Sequence, residues 1–117
     1  MDIMVNVKSE RVDEYYLITI DGEVDASSSI HLDKAMKEAV NSGLKKILVN
    51  CENLHYISSA GLGVFISYIQ DMEAKQIRLV LFNMSQKVYK VFEILGLHRL
   101  LKITDTEEEA KVITNEL

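Results

Sequence analysis

Few residues of this chain have the type and placement to do chemistry. They are three histidines, one cysteine, and a run of small and hydroxyl side chains, Ile57-Ser58-Ser59-Ala60-Gly61-Leu62-Gly63. His55 stands four residues before Ser59, but a serine hydrolase also needs an orienting acid and an oxyanion hole. The Gly-x-Ser-x-Gly elbow is missing, because positions 57 and 61 are Ile and Gly. His31 falls at the start of an expected helix, off its apolar stripe, and His98 in a loop after Gly96-Leu97; ordinary surface or loop roles account for both. One Cys and three scattered His offer none of the ligand spacings of a metal site. Cys51, beside a buried strand, reads as a small half-buried hydrophobe rather than a reactive thiol. Gly61-Leu62-Gly63 lacks the Gly-Lys-Ser/Thr ending of a P-loop. Neither an enzyme nor a cofactor is expected.

The serine turn itself is the remaining candidate. It follows a buried strand and its loop, and a helix of roughly ten to fifteen residues is expected to start at or just after Ser59. The first N–H groups of a helix lack intrahelical partners, and the helix dipole makes that end partly positive. Ser58 or Ser59 can cap those groups, and the same place can hold a phosphate: phosphoserine brings about −1.5 to −2 charge and three acceptor oxygens. Both readings stay open on the residues alone. Ala60, Gly61 and Gly63 are small enough for a partner's backbone to come close. Leu62, Phe65, Ile66, Ile69 and Met72 are expected to form the buried stripe of the helix, leaving Val64 and Tyr68 as a second apolar line beside the serine, fit for docking.

The elements that must position this turn follow from hydrophobic spacing. Ile3, Val5 and Val7 alternate as in a half-buried strand. Arg11 to Glu14 reads as a turn, and Tyr15 to Ile20 as a second strand, ended by Asp21-Gly22. A helix is expected from the Ser27-Ser28-Ser29 cluster, one hydroxyl capping it, with Leu32, Ala35, Met36, Ala39 and Val40 as its inner face and Asn41-Ser42-Gly43 as its end. Ile47-Leu48-Val49 reads as a strand covered on both faces, and Asn50 to Tyr56 as a polar, irregular connection. Ile77 to Phe82 is another buried strand. Val88, Val91, Phe92 and Leu95 mark a third helix, Leu100, Leu101 and Ile103 a short strand, and Thr106 to Glu109 the capping box of a last helix faced by Ala110 and Ile113. The order β-β-α-β-α-β-α-β-α predicts an α/β fold: a mixed sheet of four to five strands packed with about four helices, in a single domain over 1–117.

Composition narrows the partners. At 117 residues, 48% hydrophobic and 26% charged, the chain has the makings of one ordinary core. A net charge of −5 with scattered Lys and Arg argues against nucleic acid and anionic membranes. There is no apolar run of about 20 residues, no signal-peptide pattern at the N-terminus, and a single Cys. Cytoplasm is the expected compartment.

Val49-Asn50-Cys51-Glu52-Asn53-Leu54 through Ser58-Ser59-Ala60-Gly61-Leu62-Gly63-Val64 resembles the signature of STAS-domain anti-sigma-factor antagonists. In that family a hydrophobic-Asn/Asp pair, a leucine-containing loop and Asp-Ser-Ser/Thr-Gly-Leu-Gly follow one another. Gly22-Glu23-Val24-Asp25 resembles the family's Gly-Glu-Leu-Asp, and Met84 to Leu97 its third helix and closing Gly-Leu, so the likeness spans nearly the whole chain. It implies a non-catalytic switch that binds an anti-sigma serine kinase, is released when that kinase phosphorylates Ser59, and is reset by a serine phosphatase. The partner surface it implies comprises Asp25, Ser58, Ser59, Ala60, Gly61, Leu62, Gly63, Val64 and Tyr68. Ser58 replaces the family's Asp, and Ala60 its Ser or Thr. Asp25 either supplies the missing carboxylate or caps the first helix. The resemblance is also compatible with a STAS module of a signalling or transport assembly, binding a nucleotide or another small ligand. Oligomeric state is not legible.

Overall fold

The computed structural model describes residues 5–116; Ile3, the first apolar residue of the expected opening strand, lies outside them. Strand β1 (Val5–Val12) and strand β2 (Tyr15–Val24) form an antiparallel hairpin. Both run further than their apolar alternation suggests. Arg11 and Val12 still pair, with Tyr16 and Tyr15, so the turn contracts to Asp13-Glu14, with Asp13 left-handed at φ 55°. β2 continues through Asp21 and Gly22 because β1 lies on one side of it and β3 on the other.

Helix α1 (Ser29–Val40) buries Leu32, Ala35, Met36, Ala39 and Val40, the five residues its spacing marks. Strand β3 (Lys46–Ile57) comes next. Its second half, expected to be irregular, pairs with β2 through two register shifts, so that Val24 ends opposite Ile57. The shifts hide the strand from a period-2 reading: the buried residues are Cys51, Leu54 and Ile57, every third position.

Helix α2 (Ser59–Ser67) and helix α3 (Ile69–Ala74) replace the single expected helix, which breaks at Tyr68. Strand β4 (Arg78–Phe82), helix α4 (Gln86–Ile94), a 3-10 turn (Leu97–Arg99), strand β5 (Lys102–Thr104) and helix α5 (Glu107–Glu116) complete the order. Leu95, expected on the inner stripe of α4, lies just beyond the helix and is exposed.

The sheet order is β1-β2-β3-β4-β5, parallel from β2 onward. The main core joins one sheet face to α1, α2, α3 and α4 through Leu32, Phe65, Met72 and Phe92. A smaller core of Tyr15, Leu48, Val80, Phe82 and Ala110 seats α5 on the other face. That two-sided cover is what the unbroken apolar runs in β3 and β4 require. Three parallel strands therefore each deliver a helix to the same face, and the starts of α1, α2 and α4 come together along the carboxyl edge of the sheet.

Candidate functional site

Ser58 is the hinge between β3 and α2. Its N–H donates to the Val24 carbonyl at 2.8 Å, prolonging the β2–β3 pairing by one bond, and its carbonyl accepts from Leu62 N–H at 3.0 Å. Its backbone is extended (φ −86°, ψ 172°), and its hydroxyl accepts from Gly61 N–H at 3.4 Å. Self-capping therefore falls to Ser58, over a long bond. Ser59 becomes the first helical residue. Its side chain is exposed, and no described residue takes its hydroxyl.

The helix behind Ser59 is turned differently from the expected stripe. Gly61, Leu62, Val64 and Phe65 are buried, with Tyr68 half-buried just beyond. A Cβ at Gly61 would lie 2.7 Å from Ile57 Cγ1 and 2.8 Å from Val24 Cγ1. The bare backbone of Gly61 is thus pressed onto the ends of β2 and β3, and that contact sets the rotation of α2. Val64 and Tyr68 go inward, while Ile66 turns out and is 42% exposed. Four expected partner-binding residues, Gly61, Leu62, Val64 and Tyr68, therefore face the core rather than solvent. The outward line is Ser59, Ala60, Gly63, Ile66 and Ser67, all exposed and all uncharged. Around Gly63 a Cβ would meet nothing within 4 Å.

Tyr68 closes the α2 segment against α1. Its hydroxyl donates to Asp33 Oδ1 at 2.9 Å, with the Asp33 carbonyl at 3.2 Å. Partial burial, then the Asp33 carboxylate, push the phenol up to about 12.

Asp25 stands one residue past the last β2–β3 pair, beside Ser58 in register. Its Oδ1 accepts from Ser27 N–H (3.0 Å) and Ser28 N–H (2.9 Å), and both serine hydroxyls lie 2.9 Å away. These bonds, the Ser28 backbone bond first, hold its carboxyl below the ordinary carboxylate range. The Asp25 carboxylate thus closes the turn that leads into α1. No serine hydroxyl caps that helix; Ser28 Oγ instead accepts from Asp25 N–H at 2.9 Å.

Sequence reasoning missed Ile30, 66% exposed in the first turn of α1, and placed Ile66 inside. A signal for Ile66 was present: Gly61, Phe65 and Tyr68 share an i, i+4, i+7 line, which puts Ile66 opposite it. His55 is exposed in β3 rather than in a loop, and His31 is exposed on α1. His98 lies in the 3-10 turn, its Nδ1 buried without a partner among the described residues and its ring edge-on to Tyr89 at 6.3 Å. Among the described residues no group of three or more His, Cys, Asp or Glu is placed to hold a metal ion, and no helix is long and apolar enough to cross a membrane.

Fold and site together place an exposed serine at the start of a helix whose outward line is uncharged. The STAS domain family model matches residues 6–110. The chain is 31% identical over 110 residues to the anti-sigma-B factor antagonist of Listeria monocytogenes, covering 93% of this chain and 95% of that one. It is 27% identical over 104 residues to the anti-sigma-B factor antagonist of Staphylococcus aureus, covering 89% and 96%. Among solved structures, the unphosphorylated anti-sigma factor antagonist SpoIIAA superposes with a TM-score of 0.78 at 28% identity, over 96% of this chain and 98% of that one. The phosphorylated form of the Bacillus protein gives 0.68 at 30% identity, over 90% and 96%. The chain belongs to the STAS-domain family of anti-sigma-factor antagonists.

Proposed function

We propose that this chain is a non-catalytic, phosphorylation-controlled anti-sigma-factor antagonist whose modified residue is Ser59. Unphosphorylated, it docks an anti-sigma serine kinase through the outward line of α2 and the exposed start of α1. Phosphate on Ser59 breaks the complex, and a serine phosphatase restores it. The observation that carries this reading is the placement of Ser59, exposed at the first position of α2 with no carboxylate or cation on that helix. The likeness to the antagonists of Listeria and Staphylococcus, and to a protein solved in a phosphorylated form, supports it.

The energetics fit a switch. The outward line buries little charge, so a partner can pack on Ala60, Gly63 and Ile66 without leaving ions unpaired. A dianion at Ser59 would be desolvated there with no counter-charge from α2. A buried unpaired charge costs about 3–5 kcal/mol, and about 3 kcal/mol already means a hundredfold or more in affinity. The phosphate stabilises the free chain, since it lies at the positive end of the helix.

Calorimetric binding to the purified anti-sigma kinase tests this. Ser59→Ala should keep the parent's affinity. Ser59→Asp, tolerated at a helix start, should weaken it by tenfold or more. Ile66→Ala should weaken binding while leaving stability near that of the parent. Equal affinities for the Ala and Asp variants would overturn the proposal.

A further inference from the structure

The carboxyl edge of the sheet has a second opening, away from Ser59. β4 passes the chain to α4, on the face that also carries α1 and α2, whereas β5 passes it to α5 on the opposite face. The two connections therefore part between neighbouring parallel strands. In open α/β sheets such a parting is where ligands are held, because diverging loops leave a crevice above the strand ends.

Here the crevice has a volume of about 430 Å³, within the range of small-molecule sites. Ile103 and the ring of Tyr89 give it apolar wall, and Thr104 from β5 gives it a buried hydroxyl. That hydroxyl donates to the Thr106 carbonyl at 2.9 Å, which leaves its lone pairs free to accept. Lys90 and Glu93 of α4 and Asp105 after β5 add charge. Lys90 and Glu93 are three residues apart on one helix, a spacing that commonly pairs, yet none of the three joins an ion pair among the described residues. One cation and two carboxylates thus face one cavity with their charges unmatched, a local sum of −1.

We propose that this crevice binds a small amino-acid-like molecule of net positive charge. Its carboxylate would be met by Lys90, its ammonium groups by Glu93 and Asp105, and its hydrocarbon by Tyr89 and Ile103. The proposal is independent of phosphorylation at Ser59.

The test is a titration of the full chain with L-lysine at constant ionic strength, followed by amide chemical shifts. Saturable shifts are expected around Tyr89, Lys90, Glu93, Thr104 and Asp105. Lys90→Gln should weaken L-lysine about tenfold while cadaverine, which lacks the carboxylate and gains from the loss of a like charge, binds at least as tightly; Asp105→Asn should weaken both. All three charged side chains are exposed, so the variants should keep the parent's spectral dispersion. Shifts that fail to saturate, an equal response to sodium chloride, or L-lysine affinity unmoved by Lys90→Gln would each overturn the proposal.

Discussion

Adding one methyl group at Gly61 and one at Gly63 should move stability in opposite directions, although the two positions lie on the same helix two residues apart. At Gly61 the new Cβ would sit 2.7 Å from Ile57 Cγ1 and 2.8 Å from Val24 Cγ1, with Ile57 Cδ1 at 3.1 Å. Two of these are branch atoms close to the backbone of packed strand ends, 2% and 0% exposed for Ile57 and Val24, so they cannot swing away as a long side chain would. Overpacking of this kind costs about 1–3 kcal/mol. Replacing Gly by Ala in a helix returns up to about 1 kcal/mol, less in a first turn. Gly61→Ala should therefore lose about 1–2 kcal/mol. At roughly 4 °C per kcal/mol for a domain of this size, Tm should fall by about 4–8 °C. Around Gly63 a Cβ meets nothing within 4 Å, so only the propensity gain remains, and Gly63→Ala should raise Tm by about 2–4 °C. Urea unfolding of both variants checks the result, with shifted midpoints and an unchanged slope. A Gly61→Ala variant as stable as the parent, or both variants moving the same way, would refute the idea that Gly61 sets the rotation of α2.

Removing the turn bonds to Ser27 and Ser28 in Asp25→Ala should lower Tm at neutral pH. Because the folded carboxyl lies below its ordinary value of 3.8, its contribution is present above that value and is lost as pH falls through the folded one, so thermal melts of parent and variant should converge in acid. Tyr68 is the opposite case: an acid raised from 10.0 to about 12, it contributes fully below 10.0, and stability should drain away between the two values. Tyr68→Phe should be less stable at neutral pH and should lack that alkaline slope in unfolding titrations. The Cys51 thiol is fully buried and pushed up to about 12, so a thiol reagent should leave the native protein unlabelled and label it completely in denaturant.

Most of the architecture was legible because it rests on spacing. The stripe of α1 and the apolar runs of β3 and β4 read directly as burial on one face and on two. What stayed hidden was governed by partners distant in sequence. The second half of β3 looked irregular because two register shifts against β2 break its alternation. The rotation of α2 is not legible, because apolarity scales see Leu62, Phe65, Ile66 and Ile69 but not the close approach of a glycine to Val24 and Ile57. Local chemistry marks Ser58 and Ser59 at the start of a helix, and the family resemblance singles out Ser59. Its neighbours could not be sorted into inward and outward until that contact was known. Asp25 was legible beside the serine turn, but the bonds its carboxylate takes from Ser27 and Ser28 depend on how the chain turns there.

Phosphosite mapping joined to a binding assay addresses the switch most directly. The chain is incubated with its anti-sigma kinase and ATP, the modified protein is isolated, its phosphate is located by mass spectrometry, and its affinity for the kinase is compared with that of the untreated chain. Phosphate on Ser59 alone, with affinity lowered a hundredfold or more, is the expected outcome. Phosphate on another residue, or a Ser59-phosphorylated chain that binds as tightly as before, would contradict it.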